Sequence, residues 1–379
     1  MGTEAFGGDT ASVGNPCRYF GVDLHKEQIT WHCITRRVGE EPERTSGKTA
    51  TTRLKEDFFP LLSMERCYLI VEASSSTFFF YSQATQYCAK AYIVNPSAFR
   101  EMYMTGKKTD KIDAKKLADR LMYHVEMNDP HDGFPEVFVP DDVAIQLRKL
   151  ITTYELLVKQ MTQLKNQLKS IMSAKLIAGH DDVLDGGLSR LLGDSRIDDA
   201  DRIMATSIAA VHASLGREKE AVKQAILEIG VSRFREEVGL LITISGVSVM
   251  GAVVFMSDVV TVDRFASAKK LTSYLASVGK IDASGKTKRE GGLCKRGRRT
   301  SYRFILQGLE HIVAGNEGFI KFKARHTGKR PNKVRAALVR KTFVAMYYML
   351  KNGEVYRDYD ERIYRRKARD FEKLVSKVA

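Results

Sequence analysis

No run of eighteen apolar residues occurs anywhere in the chain, so no membrane-spanning helix is expected. Residues 1–15 lack the apolar stretch of a signal peptide; they are Gly-rich and polar, and are expected to form a disordered lead-in. Five cysteines (17, 33, 67, 88 and 294) are scattered, with no Cys-x-x-Cys pair. That spacing argues against structural zinc and against a disulfide framework, and fits a reducing cytoplasm. Acidic residues are scarce in one place only. From Arg264 to Ala379 there are 30 Lys or Arg against 10 Asp or Glu, a net of +20, while the preceding 263 residues carry 31 against 36, a net of −5. The overall charge of +15 is therefore a property of the last third. A localised basic region points to a polyanionic partner, nucleic acid first.

The chain is otherwise of ordinary composition, 44% hydrophobic and 28% charged, and its 379 residues suit two or three domains. Residues 16–139 alternate short β-rich runs with helical patterns, which predicts an α/β domain. Arg18–Asp23 and Gln28–Arg36 read as strands joined tightly enough for an antiparallel hairpin. Gly39–Thr52 reads as a polar loop and Thr52–Leu62 as a helix. Tyr68–Glu72 and Ala91–Val94 read as further strands, with a helix from Thr77 to Cys88 between them. Asp23 and Glu72 fall at the C-terminal ends of apolar runs, where open α/β sheets place their ligand sites. Asp110 and Asp113 are three apart and share a helix face, with Asp110 a candidate helix cap. Lys107, Lys108 and Lys111 flank them. Two readings stand side by side: four carboxylates gathered round a hard cation such as Mg²⁺, or unrelated strand-end and helix-start residues.

Residues 140–234 form a connecting region. Val143, Leu147, Leu150, Tyr154, Leu157, Met161, Leu164, Leu168 and Ile171 recur in alternating steps of four and three, a heptad seam on one long helix. Its partner is either a returning helix at 200–214 or 218–228, or another copy of the chain. Residues 235–379 follow as a basic, mainly helical domain. Leu240–Ser248 joins two apolar segments through Gly246 as a plain helix connection, Asp263 is a candidate cap, and Ser301–Val313 and Ala336–Leu350 read as helices. Between these lies a Gly-rich basic loop with Ser284, Lys286, Lys288, Arg289, Lys295, Arg296, Arg298 and Arg299, and with Arg303 just beyond it. The lysines and arginines suit phosphate contact. Ser284 either clamps a phosphate or attacks one, and a serine hydroxyl attacks only when activated.

Gly-Val-Asp-Leu-His-Lys at 21–26, Val-Glu-Ala-Ser at 71–74 and Lys-Thr-Asp-Lys-Ile-Asp-Ala at 108–114 together resemble the N-terminal domain of the IS110-type transposases, a family that includes the pilin-gene invertase. Ser-Gly at 284–285 followed by Gly-Gly-Leu-Cys-Lys-Arg-Gly at 291–297 is similar to the core of the family's C-terminal domain, with Ala283 replacing a common second serine and Leu293-Cys294 departing from the usual pair. The resemblance implies a RuvC-like (RNase H-like) α/β domain, a long coiled-coil helical linker and a helical transposase domain. It implies a Mg²⁺ or Mn²⁺ site formed by Asp23, Glu72, Asp110 and Asp113, with Ser284 as the nucleophile that cuts and rejoins DNA. It further implies an element-encoded guide RNA, a homodimer or homotetramer assembled through residues 143–171, and a bacterial or archaeal cytoplasmic setting. Metal-dependent nuclease action without covalent serine chemistry, and plain nucleic-acid binding, are the alternatives.

Overall fold

The computed structural model describes residues 16–102, 109–129, 131–179, 183–184, 186–275, 277, 279–284, 287–293 and 297–378, with the backbone alone for 100–102 and for the strands within 279–293. The expected lead-in at 1–15 lies outside the described residues. The chain divides into two compact units, Met1–Val139 and Pro140–Ala379.

The first unit is built on a five-stranded sheet. Its strands are β1 (Cys17–Leu24), β2 (Gln28–Arg36), β3 (Glu43–Ala50), β4 (Cys67–Glu72) and β5 (Lys90–Val94), in the order β3-β2-β1-β4-β5. β2 runs antiparallel to both β1 and β3, whereas β4 runs parallel to β1 and β5 parallel to β4. Strand β3 occupies the stretch read as a loop. It is an edge strand with mostly exposed side chains, so it carries no apolar alternation to betray it. The helix read at 52–62 is instead a succession of short 3-10 and π turns between Thr51 and Leu61, with Phe58 and Phe59 buried and Pro60 blocking a continuous ladder.

Helices α1 (Thr77–Ala84), α2 (Pro96–Met102) and α3 (Asp110–Met127) complete the unit. Alternate residues along β1 serve two cores. Phe20 and Val22 pack with Phe58, Phe59 and Phe80 on one face, and Tyr19 packs with Leu117, Ala118 and Leu121 of α3 on the other. Gly21 lies on the α3 face. A methyl group there would sit 2.1 Å from the Ala114 carbonyl oxygen and 2.4 Å from the Ala118 nitrogen, so the missing side chain lets α3 lie against β1. Its far end is held by a buried cluster in which Arg120 and His124 bond Asp132 at 2.9 and 2.8 Å, with His124 stacked 3.9 Å from the Phe134 ring.

The second unit is helical. α4 (Asp142–Ala174) and α6 (Asp199–Arg233) pack together, with α5 (Gly187–Gly193) in the connection. They run antiparallel: Asp141 before α4 bonds Arg233 at the end of α6, and Lys175 after α4 bonds Asp201 at the start of α6. The heptad seam thus meets the returning helix of its own chain. Leu147, Leu168 and Ile171 are buried at its ends, while Tyr154, Leu157, Met161 and Leu164 are half-buried.

Beyond them come α7 (Arg235–Leu241), α8 (Val249–Val259) and α9 (Ala268–Tyr274), then a two-stranded antiparallel hairpin, β6 (Gly279–Ser284) and β7 (Thr287–Leu293). α10 (Thr300–Gln307), α11 (Leu309–Ala314), α12 (Glu317–Arg325), α13 (Pro331–Asn352) and α14 (Glu361–Val378) follow. α8 is buried almost throughout and forms the centre of this unit's core. The single helix expected over 301–313 is broken at Gly308, where the Gly246 carbonyl oxygen approaches so closely that a Cβ would meet it at 2.4 Å. The turn at Gly246, with φ of 79°, ends in Ser248, whose hydroxyl caps α8 by accepting from the Gly251 N–H at 3.0 Å. Asp263 is not a cap: Ser267 caps α9, and Asp263 accepts from Lys351 at 2.7 Å. Among the described residues no helix is long and apolar enough to cross a membrane.

Candidate functional site

The close approach of α3 to Gly21 carries the helix start to the end of β1. Asp23, two residues beyond Gly21 and on the same face, meets Asp110, the first residue of α3. Thr109 rather than Asp110 caps this helix, its hydroxyl accepting from the Ile112 N–H at 3.3 Å, and among the described residues no backbone N–H donates to the Asp110 carboxylate. His25 completes the group. Its Nε2 is 3.2 Å from an Asp23 oxygen and 3.7 Å from an Asp110 oxygen. One ligand atom from each of Asp23, His25 and Asp110 lies within 4.8 Å of the others, an arrangement that could hold a metal ion. The side chains are 22%, 50% and 47% exposed, so the cluster faces solvent on one side and a substrate can reach it.

The electrostatics suit a cation. Burial raises the Asp23 carboxyl above its ordinary range, and the charges of Asp110 and Asp113 push it further the same way; His25 partly offsets them. Asp113 thus acts on the cluster through its charge, one helical turn behind Asp110. Glu72 ends β4 immediately after Val71, which pairs with Val22 of β1, so Asp23 and Glu72 stand at adjacent strand ends. Glu72 is not part of the three-residue group. Beside Asp23 in the β1–β2 ladder stands Thr30; its hydroxyl and the Nε2 of His32 are buried without a hydrogen-bond partner among the described residues.

Two regions of the chain match family models. Residues 20–176 match the DEDD-type transposase domain of IS110 elements, and residues 238–317 match the transposase domain of the IS116/IS110/IS902 family. The chain belongs to the IS110-type transposase family. No match was found among curated proteins. As a transposase of this type it is an enzyme that acts on DNA, and its first unit has the mixed sheet flanked by helices of the RuvC-like fold.

The basic residues singled out in the transposase sequence fall into three groups. Lys107, Lys108, Lys286, Lys295 and Arg296 lie outside the described residues. Lys111 is exposed in the first turn of α3, and Lys288 and Arg289 are on β7. Arg298, Arg299 and Arg303 lie at the base of the hairpin and in α10. Arg298 donates to the buried Asp258 carboxylate at 2.6 Å, and Arg303 forms a two-pronged pair with Glu155 at 2.8 and 2.6 Å. Asp258 also accepts from the Ser301 hydroxyl at 2.7 Å and the Ser301 N–H at 3.1 Å. The segments flanking the β6–β7 hairpin, an arm of this unit, are tied to the last turn of α9, since Ser277 donates to the Thr272 carbonyl and the Arg298 N–H to the Tyr274 carbonyl at 2.9 Å. Ser284 is the last residue of β6 and pairs with Thr287; the stretch read as a loop is a hairpin.

His25 lies within the Gly-Val-Asp-Leu-His-Lys motif at 21–26, but its place in the cluster follows only from the approach of Asp110. Asp258 gave no signal at all, lying inside an apolar helix whose partners come from remote segments.

Proposed function

We propose that this transposase cuts DNA strands with a metal-dependent carboxylate centre in its RuvC-like unit, Mg²⁺ being the natural occupant and Mn²⁺ a substitute. The observation that carries this reading is the convergence of Asp23, His25 and Asp110 within 4.8 Å. Two carboxylates with a third, Asp113, close behind are hard oxygen ligands of the kind these cations take. His25, bonded to Asp23, orients that carboxylate. Glu72, at the adjacent strand end, is the remaining acid of the proposed set. When bound, a divalent ion lowers the pKa of a water and stabilises charge on the attacked phosphate. The protein's own part is to hold the acids against their mutual repulsion, to keep one side open to the strand, and to offer Lys111 to the phosphates.

A second reading, in which Ser284 is a covalent nucleophile, draws on its place at the end of β6 in an arm rich in lysine and arginine. Sequence choice by a guide RNA would spare such a protein a base-reading module. Joining two DNA sites calls for more than one copy of the chain, and the exposed apolar side chains Leu156, Val158, Met204 and Val211 on α4 and α6 support self-association there. Asp110→Asn and Ser284→Ala separate the two readings in Mg²⁺. The metal-centred account expects strand cleavage to vanish in Asp110→Asn and to persist in Ser284→Ala. A protein–DNA adduct on a denaturing gel that only Ser284→Ala removes, together with loss of cleavage in that variant, would transfer the chemistry to the serine.

A further inference from the structure

The last helix, α14, lies beyond both matched regions. Its inner face is spent on the protein core: Ala368 and Phe371 are buried, and Tyr364, Leu374, Val375 and Val378 pack beside them. The helix rests on α6 and α7. Lys367 pins it further, donating to the Ile244 carbonyl at 2.7 Å and the Val247 carbonyl at 3.2 Å, so α14 is locked to the turn before α8.

The outer face is different. Arg362, Arg366, Arg369 and Lys373 recur at steps of four, three and four, which places them in an arc roughly 60° wide, opposite Phe371. The acids of the helix, Glu361, Asp370 and Glu372, fall outside that arc. All four cations are exposed. Glu361 is engaged by Arg365, and Lys377 is engaged by Glu228. Arg362 lies 3.7 Å from Asp360 but is 93% exposed. Among the described residues Arg366, Arg369 and Lys373 have no carboxylate partner. Cations this closely set repel one another and lower helix stability by a few tenths of a kcal/mol per neighbouring pair, a cost that a bound polyanion would reverse.

We propose that the outer face of α14 is a docking strip for the phosphate backbone of duplex DNA, separate from the carboxylate centre and from the β6–β7 arm. It rests on the reading of the chain as a DNA-acting transposase. The strip is about 16 Å long at 1.5 Å per residue, and one strand of a duplex presents a phosphate about every 3.4 Å along the axis, so four cations in a straight row meet several successive phosphates. Arginine suits this role because its planar fork bonds phosphate oxygens in pairs. A membrane surface fits poorly, since the apolar face that would enter it is already buried. Phosphate contacts of this kind add affinity and fix where flanking DNA runs relative to the helical unit, without selecting sequence.

The test is the salt dependence of binding of the full-length protein to a labelled 40-base-pair duplex of arbitrary sequence, followed by fluorescence anisotropy. Each phosphate contact contributes about 0.9 to the slope of log K against log salt. Arg366→Gln/Arg369→Gln should lower that slope by about 1.8 and weaken binding on the order of 10- to 100-fold at 0.1 M salt. Arg366→Lys/Arg369→Lys should keep the slope, and unchanged circular dichroism should show that both variants fold. An unchanged slope in the Gln variant overturns the strip while leaving the transposase reading intact. A wild-type protein with no salt-dependent affinity for duplex DNA overturns both. Loss of slope on a structured RNA of similar length but not on the duplex also overturns the DNA assignment.

Discussion

Substituting Gly21 by alanine probes the link between fold and site without touching any group in the cluster. The added methyl would stand 2.1 Å from the Ala114 carbonyl oxygen and 2.4 Å from the Ala118 nitrogen. Both are helix backbone and cannot swing aside. Contacts of a Cβ below 3.0 Å are essentially never found, so α3 must retreat by about 0.9 Å, the difference between 3.0 and 2.1 Å. Overpacking of this kind costs about 1–3 kcal/mol, which for a unit of this size lowers the melting temperature by roughly 3–10 °C. The retreat moves Asp110 away from Asp23, and a displacement near 1 Å in a catalytic arrangement costs on the order of 100-fold in rate. Gly21→Ala should therefore fold, melt several degrees early, bind Mn²⁺ more weakly in calorimetry and cleave DNA about 100-fold more slowly. Wild-type metal affinity and cleavage in a variant that melts early would refute the coupling of β1–α3 packing to the centre.

The Arg120–Asp132–His124 cluster tethers the same helix from its other end. Asp132→Asn leaves the Arg120 guanidinium, 3% exposed, without a counter-charge, and should destabilise the first unit by about 3–5 kcal/mol in urea titrations; a change below 1 kcal/mol would mean the pair is dispensable. Acid titration reports the same group. Burial works to raise the Asp132 carboxyl, but hydrogen bonds from Arg120, His124 and the Phe134 N–H outweigh it and hold it at about 2 against an ordinary 3.8. Because the folded-state value is depressed, the stability it contributes is complete above pH 4 and is lost as the pH falls toward 2. Melting curves across that window should be flatter for Asp132→Asn than for the wild type.

The parts of the fold that could be read from sequence are those where burial imposes a period. The apolar strands β1, β2, β4 and β5 and the heptad seam of α4 each repeat a pattern that one packed face dictates. Strand β3 could not be read this way, because both of its faces are largely exposed and its place is set by pairing with β2. The seam announced a partner but not which one; that choice depended on the chain turning back through α5 so that α6 lies alongside. The carboxylates could be named from their motifs, yet the meeting of Asp23 and Asp110 depends on the bare Cα of Gly21, whose meaning is clear only once α3 is seen above it. Asp132 and Asp258 draw their roles from a loop closing back on its helix or from partners remote in sequence, and no local pattern marks them; His25 stands in the Gly-Val-Asp-Leu-His-Lys motif, but its approach to Asp110 is not visible there.

The central claim, that Asp23, His25 and Asp110 form a divalent-metal centre that cuts DNA, is tested most directly by titrating Mn²⁺ into the full-length protein in a calorimeter. Cleavage is followed in parallel over the same metal range. Wild type should bind the ion and cut DNA with the same midpoint; Asp110→Asn should lose both while keeping its far-ultraviolet circular dichroism spectrum, and chelator should abolish wild-type cleavage until metal is restored. Full cleavage in excess chelator, or Asp110→Asn binding and cutting like wild type, would contradict the account.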